Sequence, residues 1–261
     1  MTENTEQQTV VEPVIEIKSL VKHFGPIQAV RGISFALKKG EVLGFLGPNG
    51  AGKSTTMKMI TGFLEPTDGT ASICGYDIIE NPIQAKQKIG YLPEGAPIYG
   101  EMTVTAFLNF IADVRGMTGK TRADRIEEVI QKINLQSVRN QTLETLSKGY
   151  KRRVGVAHAI LHDPEVLIMD EPTDGLDPNQ KHEVRTLIKE MASEKAIIIS
   201  THILEEVDAV CTRAIIIASG QLLFDGTPAE LLAKSPNGKL DDVFREITIG
   251  QYTEAAVVKK S

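Results

Sequence analysis

The nine residues Gly47, Pro48, Asn49, Gly50, Ala51, Gly52, Lys53, Ser54 and Thr55 combine three glycines, an ammonium and two hydroxyls in the pattern G-x-x-x-x-G-K-[ST]. Glycines at 47, 50 and 52 let the backbone turn tightly and bring its N–H groups against phosphate oxygens. A helix starting near Lys53 would add the positive end of its dipole. Lys53 would then reach the outer phosphates, and the Ser54 hydroxyl would ligate magnesium. The chemistry this predicts is the holding of a nucleoside triphosphate, without saying to what end.

A second reactive constellation closes the run Val166-Leu167-Ile168-Met169, which ends in Asp170-Glu171. Continuous apolar residues suit a strand buried on both faces, and the carboxyl end of such a strand is where α/β sheets place ligands. Adjacent acids on a strand point to opposite sides, so Asp170 can support magnesium while Glu171 faces an attacking water. The plainer alternative is two acids opening a loop before Pro172. His202 ends another apolar run, 196–200, and is either a hydrogen-bond donor to a terminal phosphate or a neighbour of a helix N-terminus. Ser147 and Gly149 sit at the start of a helical pattern over 151–161, where an N-cap hydroxyl and free N–H groups form either an anion site or an ordinary cap. Phe24, before the Gly25-Pro26 turn, either stacks on a base or plugs the core.

The elements that must position these groups alternate between strand and helix. Val14 to Leu20 and Ile33 to Leu37 alternate as strands, and Glu41 to Leu46 is an apolar run leading into the glycine-rich loop. A helix is expected over 54–62, a strand over 70–74, a short helix over 83–88 and a short strand over 89–92. Glu94 stands at the outlet of that strand, in the loop Pro93-Glu94-Gly95-Ala96-Pro97. Apolar residues at helical spacing over 103–115 and 122–132 interrupt the alternation with a helical block. Helices over 178–194 and 203–210, a hairpin about Ser219-Gly220, and a short helix over 228–234 follow.

Composition bounds the rest. With 261 residues, 41% of them hydrophobic and 24% charged, and a net charge of −5, the chain reads as globular and long enough for a substantial core. The acidic balance argues against a general nucleic-acid surface, although Lys148, Lys151, Arg152 and Arg153 form a local basic patch. Cys74 and Cys211 are the only cysteines, far apart and without metal-ligand spacing. No apolar run approaches the about 18 residues of a membrane span, so a membrane role requires a separate protein. Residues 1–13, polar and acidic, read as a flexible N-terminal arm rather than a secretory signal.

In this order and spacing, the parts resemble the nucleotide-binding subunit of ATP-binding-cassette transporters, over about Val14 to Lys234. Phe24 falls at the adenine-stacking aromatic, Gly47 to Thr55 at the Walker A loop, and Glu94 at the Q-loop position, where glutamine is usual. Leu146 to Tyr150 aligns with the LSGGQ signature, Val166 to Glu171 with Walker B and its catalytic glutamate, Gly175-Leu176-Asp177 with the D-loop, and His202 with the switch histidine. The signature reads LSKGY, with Lys148 for its first glycine and Tyr150 for its glutamine.

The resemblance implies an α/β P-loop NTPase cassette at 14–234, with a RecA-like core, an antiparallel β subdomain and a helical lobe over about 95–160. A short tail at 235–261 follows. It implies ATP and Mg2+ as ligands, Glu171, His202 and Lys53 as catalytic groups, and Ser54, Asp170 and Glu94 as metal ligands, Glu94 being a hard oxygen donor. Phe24, the loop 47–55, Ser147 and Gly149 would hold nucleotide. Two copies would close head to tail, so that Ser147 and Gly149 of one meet the phosphate held by Lys53 of the other. The expected partners are thus a second copy and a separate transmembrane permease, with no nucleic acid. The expected place is cytoplasmic, peripheral on the inner face of the cell membrane. Tyr91-Leu92-Pro93-Glu94 and the tail 240–248 resemble the ABC-2 export group, including its gliding-motility-associated branch. The alternative function is a non-transport cassette protein acting on ribosomes or DNA, which usually carries two cassettes or a long coiled coil, and neither pattern is seen here.

Overall fold

Strand residues that alternate between two apolar interiors organise this protein. Its structure is a computed structural model describing residues 12–95, 99–235 and 238–248. In chain order the elements are β1 (Ile15–Phe24), β2 (Ile27–Leu37), β3 (Val42–Leu46), α1 (Lys53–Ile60), β4 (Asp68–Ile73), β5 (Tyr76–Asp77), α2 (Pro82–Gln87) and β6 (Ile89–Leu92). Then come α3 (Val104–Val114), α4 (Gly119–Lys132), α5 (Lys148–Ile160), β7 (Val166–Asp170), α6 (Pro178–Ala192), β8 (Ala196–Thr201), α7 (Leu204–Val210), β9 (Arg213–Ala218), β10 (Gln221–Gly226) and α8 (Pro228–Leu232). Residues 240–248 are helical. The rest of the N-terminal arm, the tail beyond residue 248, and Ala96 and Pro97 of the loop after β6 lie outside the described residues.

The larger sheet runs β10-β9-β3-β8-β7-β6, parallel except for the β9–β10 hairpin. Its central strands are buried on both faces, which is why they read as unbroken apolar runs. Ile198 and Ile168 point into an interior shared with α1 and the smaller sheet, while Ile197, Ile199, Leu167 and Met169 point into one shared with α3, α4, α5 and α6. The parallel alignment brings the carboxyl ends of β3, β7 and β8 to one edge, and the loops holding Gly47, Glu171 and His202 leave from there.

The smaller, antiparallel sheet runs β2-β1-β4-β5 and packs against the first through the Phe35–Phe45 ring pair, centroids 5.7 Å apart. Burying a ring such as Phe45 stabilises the fold by about 2–3 kcal/mol. Strands β1 and β2 are longer than the alternating segments Val14–Leu20 and Ile33–Leu37. Their pairing slips register between Ile17 and Leu20, between Leu20 and Val21, and between Lys22 and His23, with Ser19 in the left-handed region at φ 48°. Each slip moves side chains to the other face, so the period-2 signal is lost while the ladder continues.

The helical block buries the stripes that its spacing predicts, Val104, Phe107, Leu108 and Ile111 on α3 and Ile126, Val129 and Ile130 on α4. Local signals set the helix starts. The Thr103 hydroxyl accepts from Ala106 N at 3.1 Å, and the Asp177 carboxylate accepts from Asn179 N and Gln180 N at 3.0 Å ahead of Pro178. Each such cap contributes about 1 kcal/mol. The helical segment 240–248 packs Val243, with Phe244 and Ile247 beside it, against α7, α8 and β9.

Candidate nucleotide-binding site

The loop between β3 and α1 has the shape its glycines predict. Gly52 sits at φ 105°, and a Cβ there would lie 2.5 Å from Ala29 O; a Cβ on Gly47 would lie 2.4 Å from Ile217 O. Only glycine fits either place. Backbone bonds from Ala51 N to Pro48 O (3.1 Å) and from Gly220 N to Ala51 O (2.9 Å) hold the turn. The start of α1 has neither a side-chain cap nor an acid in its first turn, which leaves its N–H dipoles for an anion. A cavity of about 170 Å3 lies over the loop, lined by Ala29 and by residues 48–55.

Lys53 is buried, its ammonium donating to Gly47 O at 2.7 Å and Pro48 O at 3.3 Å. Burial pulls it below its ordinary pKa, and the carboxylates of Glu171, Asp170 and Glu94 oppose that pull. One ammonium and three carboxylates therefore converge at the strand ends. Burial, and then Asp170 and Glu94, push the Tyr91 phenol up to about 12.

Glu171 is the most constrained of these acids. Its backbone adopts φ 50°, a region costly for a side chain of this type, and its N–H donates to Ser200 O at 2.8 Å. Oε1 lies 2.9 Å from His202 Nδ1, while Oε2 is buried with no hydrogen-bond partner. A buried carboxylate oxygen without a donor is an unmet acceptor at the strand end. His202 itself is about half exposed, at the mouth of the site. Behind it, the Glu206 carboxylate accepts from the Thr201 hydroxyl at 2.7 Å, and Thr201 Oγ1 accepts from Ile203 N at 3.1 Å, pinning the backbone on both sides of the histidine. Burial pushes Glu206 above the usual carboxylate range.

The residues fit a magnesium ion by the chemistry of their donors: the Ser54 hydroxyl, the buried Asp170 carboxylate and the exposed Glu94 carboxylate are all hard oxygens. Among the described residues no cluster of three or more His, Cys, Asp or Glu forms a self-contained metal cage. A site with so few protein ligands suits an ion that keeps waters and binds with phosphate.

Of the expected site residues, 48–55 line the cavity over the loop, while Glu94 and Glu171 line another cavity with Lys148, Lys151, Arg152 and Asp174. Phe24 ends β1 at the hairpin turn, 47% exposed, with Lys22 Nζ 5.4 Å from its ring centroid. It is no core plug, and it is not among the residues lining the loop cavity. Ser147 caps α5, accepting from Tyr150 N at 3.4 Å, and Gly149 is packed against Gln180. Neither lines the cavity over the phosphate loop. Lys148 pairs with Asp174 of its own chain at 3.4 Å.

Arg152, expected in a local basic patch, is buried and donates to the carbonyls of Pro172 (3.0 Å), Pro93 (3.1 Å), Asp170 (2.5 Å) and Glu171. Burial lowers its ordinarily very high pKa, and Asp170, Asp174, Glu171 and Glu206 oppose that fall. The only hint in the sequence is its place one helical turn beyond Gly149.

Comparison with known proteins gives the same picture. Residues 30–174 match the family model described as ABC transporter. The chain is 37% identical over 240 residues to the "Probable multidrug ABC transporter ATP-binding protein YbhF" of Escherichia coli (strain K12), an alignment covering 92% of this chain but only 41% of that longer protein. It is 36% identical over 246 residues to the linearmycin resistance ATP-binding protein LnrL of Bacillus subtilis (strain 168), covering 94% of this chain and 78% of LnrL. A solved structure described as the ATP-binding subunit of an ABC transporter superposes with a TM-score of 0.81 at 29% identity, covering 90% of this chain and 99% of that one. With a glycine cradle, converging acids and the order of strands all in agreement, the chain belongs to the ABC transporter family as one of its ATP-binding cassettes.

Proposed function

We propose that this chain binds Mg-ATP on the loop 47–55 and hydrolyses it to drive a separate membrane permease, as an exporter of the ABC-2 kind. The observation that carries the reading is the Glu171 carboxylate, with one oxygen held by His202 and the other buried and free. A carboxylate so fixed can orient a water and accept its proton while water attacks the γ-phosphorus in line. Lys53, moving off the carbonyls of Gly47 and Pro48, neutralises charge on the outer phosphates, and His202, with Nδ1 held by Glu171, donates to the γ-phosphate through Nε2 when both ring nitrogens carry protons. Ser54 and Asp170, with Glu94, would hold magnesium, which would supply positive charge to offset that of the phosphates. The exposed Phe24 offers a ring face to the adenine.

The cap of α5 fits a shared site. Ser147 and the N–H groups near Gly149 are away from their own phosphate loop, and they become useful when a second copy brings its nucleotide to them head to tail. ATP then closes the pair, and loss of the γ-phosphate reopens it.

A permease needs a place to receive this movement. A groove of about 310 Å3 opens between the core and the helical lobe, lined by Phe63, Tyr91, Ile111 and Val114, with Lys86 and Arg115 among its polar groups. Phe63 is 74% exposed and Val114 68% exposed, and apolar side chains left to solvent in a groove mark a partner surface. Among the described residues no helix is long and apolar enough to cross a membrane, so the reading puts the chain peripherally on the inner face of the cell membrane through that partner.

The test is phosphate release from ATP by the purified chain, with and without Mg2+, against Lys53→Ala as the blank. Release that requires both Mg2+ and Lys53 is expected. Release no greater than that of the variant overturns the reading in favour of a purely binding protein.

A further inference from the structure

We propose that Arg152 is a positioning residue for hydrolysis: from the signature helix it grips the strained turn that carries Glu171 and so ties the seating of the helical lobe to the geometry of that glutamate. The inference rests on Glu171 being the hydrolytic carboxylate.

A guanidinium presents its N–H donors in a rigid planar fork, which suits several acceptors at once. Here Nε donates to Pro172 O at 3.0 Å, Nη2 to Asp170 O at 2.5 Å and to Glu171 O, and Nη1 to Pro93 O at 3.1 Å. Three of these acceptors are consecutive carbonyls that bracket Glu171, whose φ of 50° persists only where its surroundings hold it. The fourth is the residue before Glu94. All four are drawn together by one side chain on α5, and it lies one turn from Gly149 on the same helix face.

Bonds to carbonyls fix the path of the backbone, whereas bonds to carboxylates would neutralise a side-chain charge. The former is the situation here, because the nearby carboxylates of Asp170 and Glu171 receive none of the four bonds. A shift of α5 against the outlet of β7 would therefore pull on the peptide units on either side of Glu171 and move its free Oε2 off the line of attack. Misplacement on the scale of an ångström is enough to lower a rate about a hundredfold.

The experiment compares full-length wild type, Arg152→Lys, Arg152→Met and Glu171→Gln by steady-state Mg-ATP hydrolysis, with the number of chains that bind ATP measured in each sample. For Arg152→Met the expected result is a fall in kcat of about 10- to 100-fold per ATP-binding chain, with KM for ATP within about threefold of wild type. Arg152→Lys, which keeps the charge but cannot span four carbonyls, is expected to lose about three- to tenfold. If Arg152→Met does not fold, Arg152→Lys alone decides. A merely structural role would lower the fraction of chains that bind ATP and leave kcat per binding chain unchanged, and that result overturns the proposal. Wild-type kcat in Arg152→Lys also overturns it. A wild type that does not hydrolyse ATP, or a Glu171→Gln variant that does so normally, overturns the underlying reading and this proposal with it, and is told apart because the failure shows in those two proteins.

Discussion

Nδ1 of His202 lies 2.9 Å from Oε1 of Glu171, joining the outlets of β7 and β8 across the mouth of the site. The contact fixes one carboxylate oxygen and leaves the buried Oε2 as the free acceptor. Removing the imidazole with His202→Ala frees the carboxylate to rotate and removes a donor to the γ-phosphate. The expected outcome is a fall in kcat of about 10- to 100-fold with a much smaller change in KM, measured by steady-state phosphate release.

Lys53→Ala acts at an earlier step. The ammonium is buried against two loop carbonyls and faces Glu171, Asp170 and Glu94. Its loss leaves the acids with no nearby counter-charge on the loop, so a triphosphate meets net repulsion. ATP affinity is expected to fall by at least about tenfold in equilibrium binding, corresponding to about 1.4 kcal/mol.

The helical block stores a pH dependence of stability that is separate from catalysis. Burial and then the Arg115 guanidinium hold both His158 and His162 down to about 4. In the unfolded chain an imidazole titrates near about 6.5. Between those values the unfolded state binds more protons than the folded one, so stability rises with pH across that window. It is fully present above about 6.5 and is lost as pH falls towards about 4, by up to about 3 kcal/mol per histidine. Urea midpoints taken from pH 7.5 to pH 4.5 check this, and His158→Gln is expected to flatten the slope by roughly half.

The apolar groove makes a prediction that the chain alone does not show. Phe63→Asp together with Val114→Asp puts charge into the groove beside Tyr91 without touching the phosphate loop. Recovery of the chain with membranes is expected to drop severalfold, while Mg-ATP hydrolysis by the chain in solution stays within about twofold. Unchanged membrane recovery would remove the groove from the account.

The phosphate loop was legible because its chemistry needs fixed residue types at fixed spacing, and the central strands because burial on both faces allows only apolar side chains. Elsewhere the deciding contacts are made at a distance. The β1–β2 ladder hides behind register slips near Ser19 that scramble the alternation. Arg152 reads as a surface cation because arginine is rarely buried. Its acceptors, at Pro93 and at 170–172, are brought together only by the fold, and carbonyls carry no residue-type signature. Phe24 sits beside a turn, where local sequence does not fix which face a ring takes, and the hairpin leaves it half exposed. Ser147 and Gly149 are the hardest case, since the partner proposed for them belongs to another copy of the chain.

The central claim, that Glu171 drives hydrolysis in a site completed by a second copy, is tested most directly by Glu171→Gln in Mg-ATP, with turnover and size by gel filtration measured on the same sample. The amide keeps the shape and the contact with His202 but cannot take a proton from water. The account predicts turnover lower by roughly 10² to 10⁴, ATP binding retained, and a shift from monomer to dimer size when Mg-ATP is present. Near-normal turnover, or a variant that binds Mg-ATP and stays monomeric, would contradict it.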